Sequence, residues 1–130
     1  MIDGKIYVAG GLGEDHKELS VLEIFDTATG KWSKGPDMPG PSAYGAGCAL
    51  TGRLFVFGGG REKEYLAEVV SFDPVSGGWR EEKPLDFARE ALAAAAVGGR
   101  AYLLGGRVSG VYLPACEEYA PVSASPGRGR

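Results

Sequence analysis

The sequence predicts an all-β fold built from repeated four-stranded antiparallel meanders. One phrase ending in Gly-Gly occurs three times, at residues 4–11, 52–59 and 99–106. Its aromatic residue recurs about every 47 residues, a period within the range of repeat architectures. Between the copies lie short apolar runs bounded by Gly, Pro and Asp, which are typical of antiparallel strands joined by turns.

The second repeat shows the order of the four predicted strands, which we denote a, b, c and d. They correspond to residues 44–50, 53–57, 67–72 and 79–83. Strand b is apolar at nearly every position instead of alternating, so both faces of its sheet need to be covered. Sheets stacked face to face around an axis provide such cover, and this arrangement is a β-propeller.

The predicted turns between strands c and d begin with Asp and end with Gly, at residues 26–30 and 73–77. The Asp carboxylate accepts hydrogen bonds from nearby backbone N–H groups, and Gly adopts a positive φ at low cost. The two turns therefore mark the same place in successive repeats.

Residues 86–98 allow two interpretations. Their alanine-rich sequence, with Asp86 as a cap and Gly98 as a stop, is typical of a helix. The repeat register instead aligns them with residues 41–50, which contain strand a. Small residues also suit a strand at this place, because inner strands crowd toward the axis of a propeller. We favour the strand, and the helix stays as the alternative.

Markers downstream of strand b keep the same period. An aromatic residue beside Asp is followed about six residues later by Trp, at residues 25–32 and again at 72–79. Together with the strand that ends in Gly-Gly, this order resembles the kelch repeat over roughly residues 3–120. The resemblance implies a kelch-type β-propeller, and we expect Trp32 and Trp79 to be largely buried between blades. The blades would be formed by residues 3–40, 41–86 and 87–120.

The sequence departs from the kelch pattern at both ends. The first repeat begins at strand b, and the third has Pro126 where the pattern has Trp. Pro126 lies in residues 121–130, for which we predict a disordered tail. Because 130 residues hold fewer than three repeats and closed propellers have about four to eight blades, we expect an incomplete ring. We favour a fragment of a larger propeller over a truncated product or a homo-oligomer that completes the ring between subunits.

Composition and charge indicate which kinds of partner and which cellular compartment to expect. The formal net charge of −3 argues against a nucleic-acid surface. No apolar run reaches the roughly 18 residues of a membrane span, and the chain enters its first repeat at once, which predicts no signal peptide. We expect Cys48 and Cys116 to be free buried thiols, in keeping with a reducing compartment. These features predict a cytoplasmic protein with no nucleic-acid or membrane partner.

The residue types that carry chemistry predict no catalytic site, no metal and no cofactor. His16 is the only histidine, and it stands beside Glu14 and Asp15 in a polar loop, where adjacent residues rarely converge on one ion. Carboxylate pairs such as Glu81 and Glu82 point to opposite faces of a strand or are solvated. Kelch propellers that are copper oxidases use two histidines and two tyrosines, which one histidine cannot supply.

Surface recognition is the function class that remains. In an antiparallel meander the b–c connections of all blades emerge on one side, and here they comprise residues 12–20, 60–66 and 107–114. A rigid scaffold that presents irregular loops on one side is the usual layout of a binding surface, and Arg and Tyr are common anchors. The candidate binding residues are His16, Arg61, Lys63, Tyr65, Arg107 and Tyr112.

We therefore predict a noncatalytic protein-interaction scaffold with a protein partner. The resemblance implies the same role, because many kelch-like propellers bind proteins and some are substrate-binding parts of ubiquitin ligases. A ligase role would need further sequence, since no F-box-like or BTB-like helical segment is apparent. The alternative is part of a kelch-type enzyme, such as a sugar isomerase or oxidase, whose catalytic residues would lie in further blades.

Overall fold

The computed structural model describes residues 1–122, and every regular element in that range is a strand. The all-β prediction is therefore confirmed, whereas the tail predicted over residues 121–130 falls almost wholly outside the described range. Residues 1–122 contain no helix long and apolar enough to cross a membrane. The strands are β1 (Lys5–Ala9), β2 (Leu22–Asp26), β3 (Lys31–Lys34), β4 (Ala46–Leu50), β5 (Arg53–Phe57), β6 (Gly60–Arg61), β7 (Glu64–Tyr65), β8 (Val69–Asp73), β9 (Gly78–Glu81), β10 (Glu90–Val97), β11 (Arg100–Val108), β12 (Val111–Tyr112) and β13 (Cys116–Tyr119).

The strands form three successive antiparallel sheets, which we call blade 1, blade 2 and blade 3. Blade 2 is a complete meander in the order β4-β5-β8-β9, and a two-stranded ribbon, β6-β7, connects its strands b and c. Blade 1 has the order β1-β2-β3, while blade 3 has β10-β11-β13 with β12 paired to the end of β11. The three predicted b strands are β1, β5 and β11, so the repeat register is confirmed.

The alanine-rich segment forms strand β10, and the helix alternative is wrong. β10 pairs antiparallel with β11, and the two strands are joined at Gly98 and Gly99, both of which have positive φ. Leu92 is buried in the core cluster that blades 2 and 3 share. Cross-strand pairing and burial outweigh the helix propensity of alanine, which is worth only about 0.5 kcal/mol per residue.

The turns between strands c and d form as predicted. The Asp26 carboxylate accepts hydrogen bonds from the backbone N–H groups of Ala28 at 2.9 Å and Thr29 at 3.2 Å. The Asp73 carboxylate accepts one from Val75 at 2.9 Å, and this bond is the main cause that holds the pKa of Asp73 below its ordinary value. Each turn also contains a glycine with positive φ, as the sequence requires.

The interface between blades 1 and 2 is built on a row of three side chains from neighbouring strands of blade 2. Leu54, Phe72 and Trp79 are cross-strand neighbours, and they share one hydrophobic cluster with residues of blade 1. The ring centroids of Phe72 and Tyr7 lie 6.0 Å apart, and the Trp79 indole N–H donates to the Pro36 carbonyl at 2.8 Å. Aromatic packing and a hydrogen bond thus hold blade 2 on blade 1.

The interface between blades 2 and 3 has the same pattern, except that a tyrosine hydroxyl replaces the tryptophan indole as the hydrogen-bond donor. Phe55 and Phe57 pack against Tyr119, with ring centroids 6.3 and 5.2 Å apart. The Tyr119 hydroxyl donates to the Lys83 carbonyl at 2.7 Å, and burial raises the pKa of Tyr119 to about 12, so the donor stays protonated at neutral pH. Lys83 stands one repeat after Pro36. The hydroxyl therefore uses the acceptor position that an indole uses in the first interface.

The prediction that both tryptophans are largely buried is wrong for Trp32. This side chain is 59% exposed and its ring packs against Phe25 of its own blade, with ring centroids 5.0 Å apart, whereas Trp79 is half-buried between blades. The two indoles occupy equivalent positions in their blades. In the described part of the chain, however, no blade lies against the Trp32 side of blade 1.

Candidate functional site

The b–c connections differ in form from blade to blade. In blade 1 the connection is irregular with a single bridge, in blade 2 it is the β6-β7 ribbon, and in blade 3 it is the hairpin from the end of β11 into β12. We call the surface that they form the loop face. It consists of residues 12–20, 60–66 and 107–114.

A pocket of about 130 Å³ lies where the loop face of blades 1 and 2 meets the start of β10. Arg61, Lys63 and Tyr65 line it from the ribbon of blade 2. Glu18 lines it from blade 1 and Glu90 from blade 3. The structure thus brings three of the six predicted residues together, beside carboxylates from both neighbouring blades.

Arg61 lies at the predicted place, but its donors are used within the chain. Its Nε donates to the Pro41 carbonyl at 2.7 Å, and its Nη1 and Nη2 donate to the two carboxylate oxygens of Glu68 at 3.1 and 2.9 Å. Such a bidentate pair fixes the guanidinium in orientation as well as position. The side chain therefore anchors the ribbon to the connection between blades 1 and 2.

Arg107 is held in a similar way within blade 3. Its Nε donates to Glu90 Oε1 at 2.9 Å, and this hydrogen bond is the main cause that raises the pKa of Arg107. Glu90 also reaches blade 2, since a Cβ placed on Gly60 would lie 3.0 Å from Glu90 Oε2. The pair Arg107–Glu90 thus positions the blade 3 hairpin beside the ribbon of blade 2.

The remaining predicted residues are more accessible to a partner. Tyr112 lies opposite Arg107 in the β11-β12 pairing and is 78% exposed. Lys63 and His16 are exposed, and Tyr65 is half-buried. His16 has a φ of 59° and its backbone N–H donates to Gly13, so it stands at the tip of a tight turn and does not line the pocket.

Sequence reasoning missed Tyr44 and Glu90 as parts of this surface, and it did not single out Glu18 within the loop of residues 12–20. Tyr44 is exposed, has a φ of 60° and lines the pocket, although the sequence pattern assigns it to the buried inner strand. Its left-handed backbone turns it out of the strand, and no periodic pattern reports that. Glu18 and Glu90 come from other blades, so only the assembled fold brings them to the ribbon.

The chemistry of the pocket is that of recognition by charge and aromatic contact. Four glutamates line it, and its two cations are Arg61, which Glu68 neutralises, and Lys63. Glu90 is in turn paired with Arg107, so among the described residues three lining carboxylates and one lining cation, Lys63, have no ion-pair partner. In residues 1–122 no three His, Cys, Asp or Glu side chains are grouped so that they could hold a metal ion.

A cavity of about 420 Å³ lies elsewhere, along the open edge of β1. It is lined by β1 and by Tyr44, Gly45 and most of β4, and its walls are mainly small or apolar. In blades 2 and 3 an a strand pairs with this edge of strand b. In blade 1 only Ile2 pairs there, across a turn formed by Asp3 and Gly4. The cavity is thus the space beside an unpaired strand edge, in agreement with the expectation that the first repeat begins at strand b.

The two cysteines are free, but only one is shielded from solvent. Cys48 is half-buried, and burial raises the pKa of its thiol. Cys116 is exposed, so the expectation that both thiols are buried is wrong for Cys116. Cys116 lies opposite the exposed Leu104, on the face of blade 3 that no described blade covers.

The repeat register and the interblade contacts agree with the comparison to known families. The kelch motif family matches residues 1–39 and 41–85, which together make up more than half of the chain. The chain belongs to the kelch-repeat family. Its sheets are not closed into a ring in the described residues, so it is an incomplete kelch-type β-propeller.

Relatives of this kelch-repeat chain include two proteins of Arabidopsis thaliana described as F-box/kelch-repeat proteins. One is 36% identical over 52% of the chain and the other 38% identical over 44% of it. The matched regions span only 18% and 16% of the relatives. Among solved structures, that of YjhT shares the fold at a TM-score of 0.68 and 23% identity, over 82% of this chain and 32% of YjhT.

Proposed function

We propose that this chain supplies three blades of a noncatalytic protein-interaction propeller and that the partner binds at the loop face. The observation that carries the proposal is the pair of internal clamps, Arg61–Glu68 and Arg107–Glu90, which fix the connections of blades 2 and 3. A surface fixed before binding loses little conformational entropy when the partner arrives. The ion pairs therefore act as positioning groups, and their exposed neighbours make the contacts.

The charge and shape of the pocket favour a partner segment that carries Lys or Arg. Glu62 and Glu64 are exposed at its rim, and Tyr44 and Tyr65 line it. A cation beside a carboxylate gains a charge-assisted hydrogen bond, and a cation over a tyrosine ring gains a cation–π contact. Complementary charge also speeds association and excludes acidic partners.

The family and the relatives support the interaction class. The Arabidopsis relatives are described as F-box/kelch-repeat proteins, and this chain spans less than a fifth of each. The role of the whole assembly, its partner and its cytoplasmic location thus remain parts of the proposal. Free Cys48 and Cys116 are compatible with a reducing compartment. No observation on the described residues favours part of a sugar isomerase or oxidase, so we do not propose that alternative.

A selection of displayed random peptides on the purified chain tests the proposal. We expect enriched peptides to contain Lys or Arg and to bind the loop face. Tyr65→Ala and Tyr112→Ala should each weaken binding by about fivefold or more, the effect of a modest interface anchor. Glu64→Gln should weaken basic peptides selectively.

Matched controls come from the turns between strands c and d, on the opposite side of the meanders. Thr29→Ala and Ser76→Ala change exposed residues of similar turns and should leave the affinity unchanged. Equal losses on both sides would reject the loop face. Peptides that bind the loop face without Lys or Arg would reject only the charge preference.

A further inference from the structure

Tyr44 combines a strained backbone with an exposed side chain beside the loop face. Its φ is 60°, in the left-handed region that bulky L residues rarely adopt. Seven non-glycine residues of the described range have a positive φ, and Tyr44 has the largest side chain among them. Strained residues persist where the surrounding structure holds them, and they are concentrated at functional sites. Tyr44 is therefore a candidate for a role in recognition.

The repeat itself requires this backbone conformation. Ala91 stands at the equivalent position of blade 3, and its φ is 55°. Glycine adopts such a φ at little steric cost, because it has no Cβ that approaches the following carbonyl oxygen. A tyrosine at a position that glycine fills best indicates a use for its ring.

Hydrogen bonds to blades 2 and 3 hold the backbone of Tyr44 in place. The Ala43 N–H donates to the Gly60 carbonyl at 3.1 Å, and the Gly60 N–H donates to the Ala43 carbonyl at 2.7 Å. The Tyr44 carbonyl accepts a hydrogen bond from the Ala91 N–H, also at 2.7 Å. The segment is thus fixed on both sides of the strained residue, so the ring needs little ordering when a partner binds.

The ring of Tyr44 takes little part in the packing of the chain. The residue is 53% exposed and belongs to neither hydrophobic cluster of the core. Within residues 1–122, the six aromatic pairs include Tyr7 and Tyr119 but not Tyr44. Internal packing therefore does not explain why a tyrosine stands here.

The pocket of the loop face places carboxylates near this ring. Tyr44 lines it together with Tyr65, and the carboxylates of Glu18, Glu62 and Glu64 line it without an ion-pair partner in the described range. All the lining residues belong to the b–c connections or to the starts of strands a, and none to the open edge of β1. The surroundings of the ring thus favour a planar cation.

We propose that Tyr44 selects the partner at the loop face by stacking on an arginine side chain of that partner. A planar guanidinium can lie flat on a tyrosine ring while its N–H groups donate to a neighbouring carboxylate. A lysine ammonium is a compact, strongly hydrated charge, so it gains less from the ring. This inference rests on the proposed function, and it narrows the partner's cation from Lys or Arg to Arg.

Stability and binding should respond differently when the ring and the strain are removed together. Tyr44→Gly relieves the left-handed strain, so the melting temperature of the purified chain should not fall. Its affinity for an arginine peptide enriched in the displayed selection should fall at least tenfold. Ala91→Gly relieves the same strain in blade 3 at a residue that does not line the pocket, and it should bind as the wild type does. A merely structural role for Tyr44 would lower stability and affinity together.

Two further variants separate the aromatic ring from its bulk. Tyr44→Phe keeps the ring and should keep the affinity for the arginine peptide within about twofold, because stacking does not need the hydroxyl. Tyr44→Leu keeps an apolar side chain on the same strained backbone but has no π face. It should weaken the arginine peptide by about fivefold or more.

The partner's side of the contact is tested with one enriched peptide in three forms. Replacing its arginine by lysine should weaken binding to the wild type by about fivefold. Replacing it by citrulline, which is planar but uncharged, should weaken binding further. On the Tyr44→Leu chain the arginine and lysine forms should bind almost equally, because the ring that distinguishes them is absent. Fluorescence anisotropy of labelled peptides measures each affinity.

The outcomes separate this inference from the proposed function. If Tyr65→Ala and Tyr112→Ala weaken binding but Tyr44→Gly does not, the loop face is the binding surface and the role of Tyr44 is wrong. If none of the three variants weakens binding, the proposed function fails, and this inference fails with it. A lysine form that binds the wild type as tightly as the arginine form, or a selection that enriches no arginine peptide, would also overturn the inference.

Discussion

Blades 1 and 2 carry the same aromatic row, but only blade 2 has it covered. Trp79 donates a hydrogen bond to the preceding blade, and its neighbour Phe72 is buried. Trp32 and Phe25 hold the equivalent places, and Trp32 is open to solvent. A residue's position in the repeat therefore does not decide how much its side chain contributes to stability. What decides it is whether another blade lies against that face.

The largest test of this comparison uses one position of strand b in two blades. Phe55 is fully buried between blades 2 and 3, so Phe55→Ala should lower the free energy of unfolding by about 3–5 kcal/mol. Tyr102 holds the same place in blade 3, on the face that no described blade covers, and it is half-buried. Tyr102→Ala should cost less than half as much as Phe55→Ala. Urea denaturation of both variants measures the difference, and similar losses would contradict the comparison.

The second test concerns the glycine pair after strand b. Gly58 has a φ of 58°, and a Cβ built on it would lie 2.6 Å from the Arg89 carbonyl. Gly58→Ala should therefore cost about 2–4 kcal/mol, since it adds a clash to the strain of the left-handed region. Gly52 has a φ of 74° but no atom near its added Cβ, so Gly52→Ala should cost about 1 kcal/mol. Equal melting temperatures for the two variants would show that the close approach is unimportant.

The third test compares the two tryptophans directly. Trp79→Ala removes a half-buried indole and its hydrogen bond to Pro36, and it should cost about 2–3 kcal/mol. Trp32→Ala should cost less than about 1 kcal/mol, because this indole is 59% exposed. Thermal unfolding of both variants reports the difference. If Trp32→Ala proved the more costly, the assignment of Trp32 to an uncovered face would be wrong.

The smallest expected effect concerns the hydrogen bond of Tyr119, which takes the place in blade 3 of the Trp79 hydrogen bond in blade 2. Tyr119→Phe keeps the ring but removes the hydrogen bond to the Lys83 carbonyl, and it should cost about 1 kcal/mol at neutral pH. Burial raises the pKa of Tyr119 from 10.0 to about 12, so the folded state binds this proton more tightly than the unfolded state. Its contribution is full below pH 10 and is lost as the pH rises toward 12. Denaturation between these pH values should show a smaller fall in stability for Tyr119→Phe than for the wild type.

Much of the fold could be predicted from the sequence because the repeat carries it. The Gly-Gly phrases placed β1 and β5 at their observed bounds, and the Asp-Gly turns formed as their chemistry requires. The register also decided correctly that residues 90–97 are a strand. Each of these features depends on local turn chemistry or on the repeat period, and both can be read directly from the sequence.

The remaining features depend on contacts between distant residues. The repeat period assigns Trp32 and Trp79 to equivalent positions, but it does not show whether another blade packs against them. The bond from Tyr119 to Lys83 joins residues from different blades, and the clamp of Arg107 to Glu90 joins the two ends of a long hairpin. Sequence reasoning placed the candidate binding residues on one surface, but it did not show that two of its arginines are occupied within the chain.

Amide hydrogen exchange tests most directly whether cover by neighbouring blades decides stability in this chain. Strand β5 is paired on both edges and lies in the blade covered on both faces, so its amides should exchange the slowest. Strand β1, with an open edge and an uncovered face, should exchange much faster, with β11 between them. Protection of β1 equal to that of β5 would contradict the account.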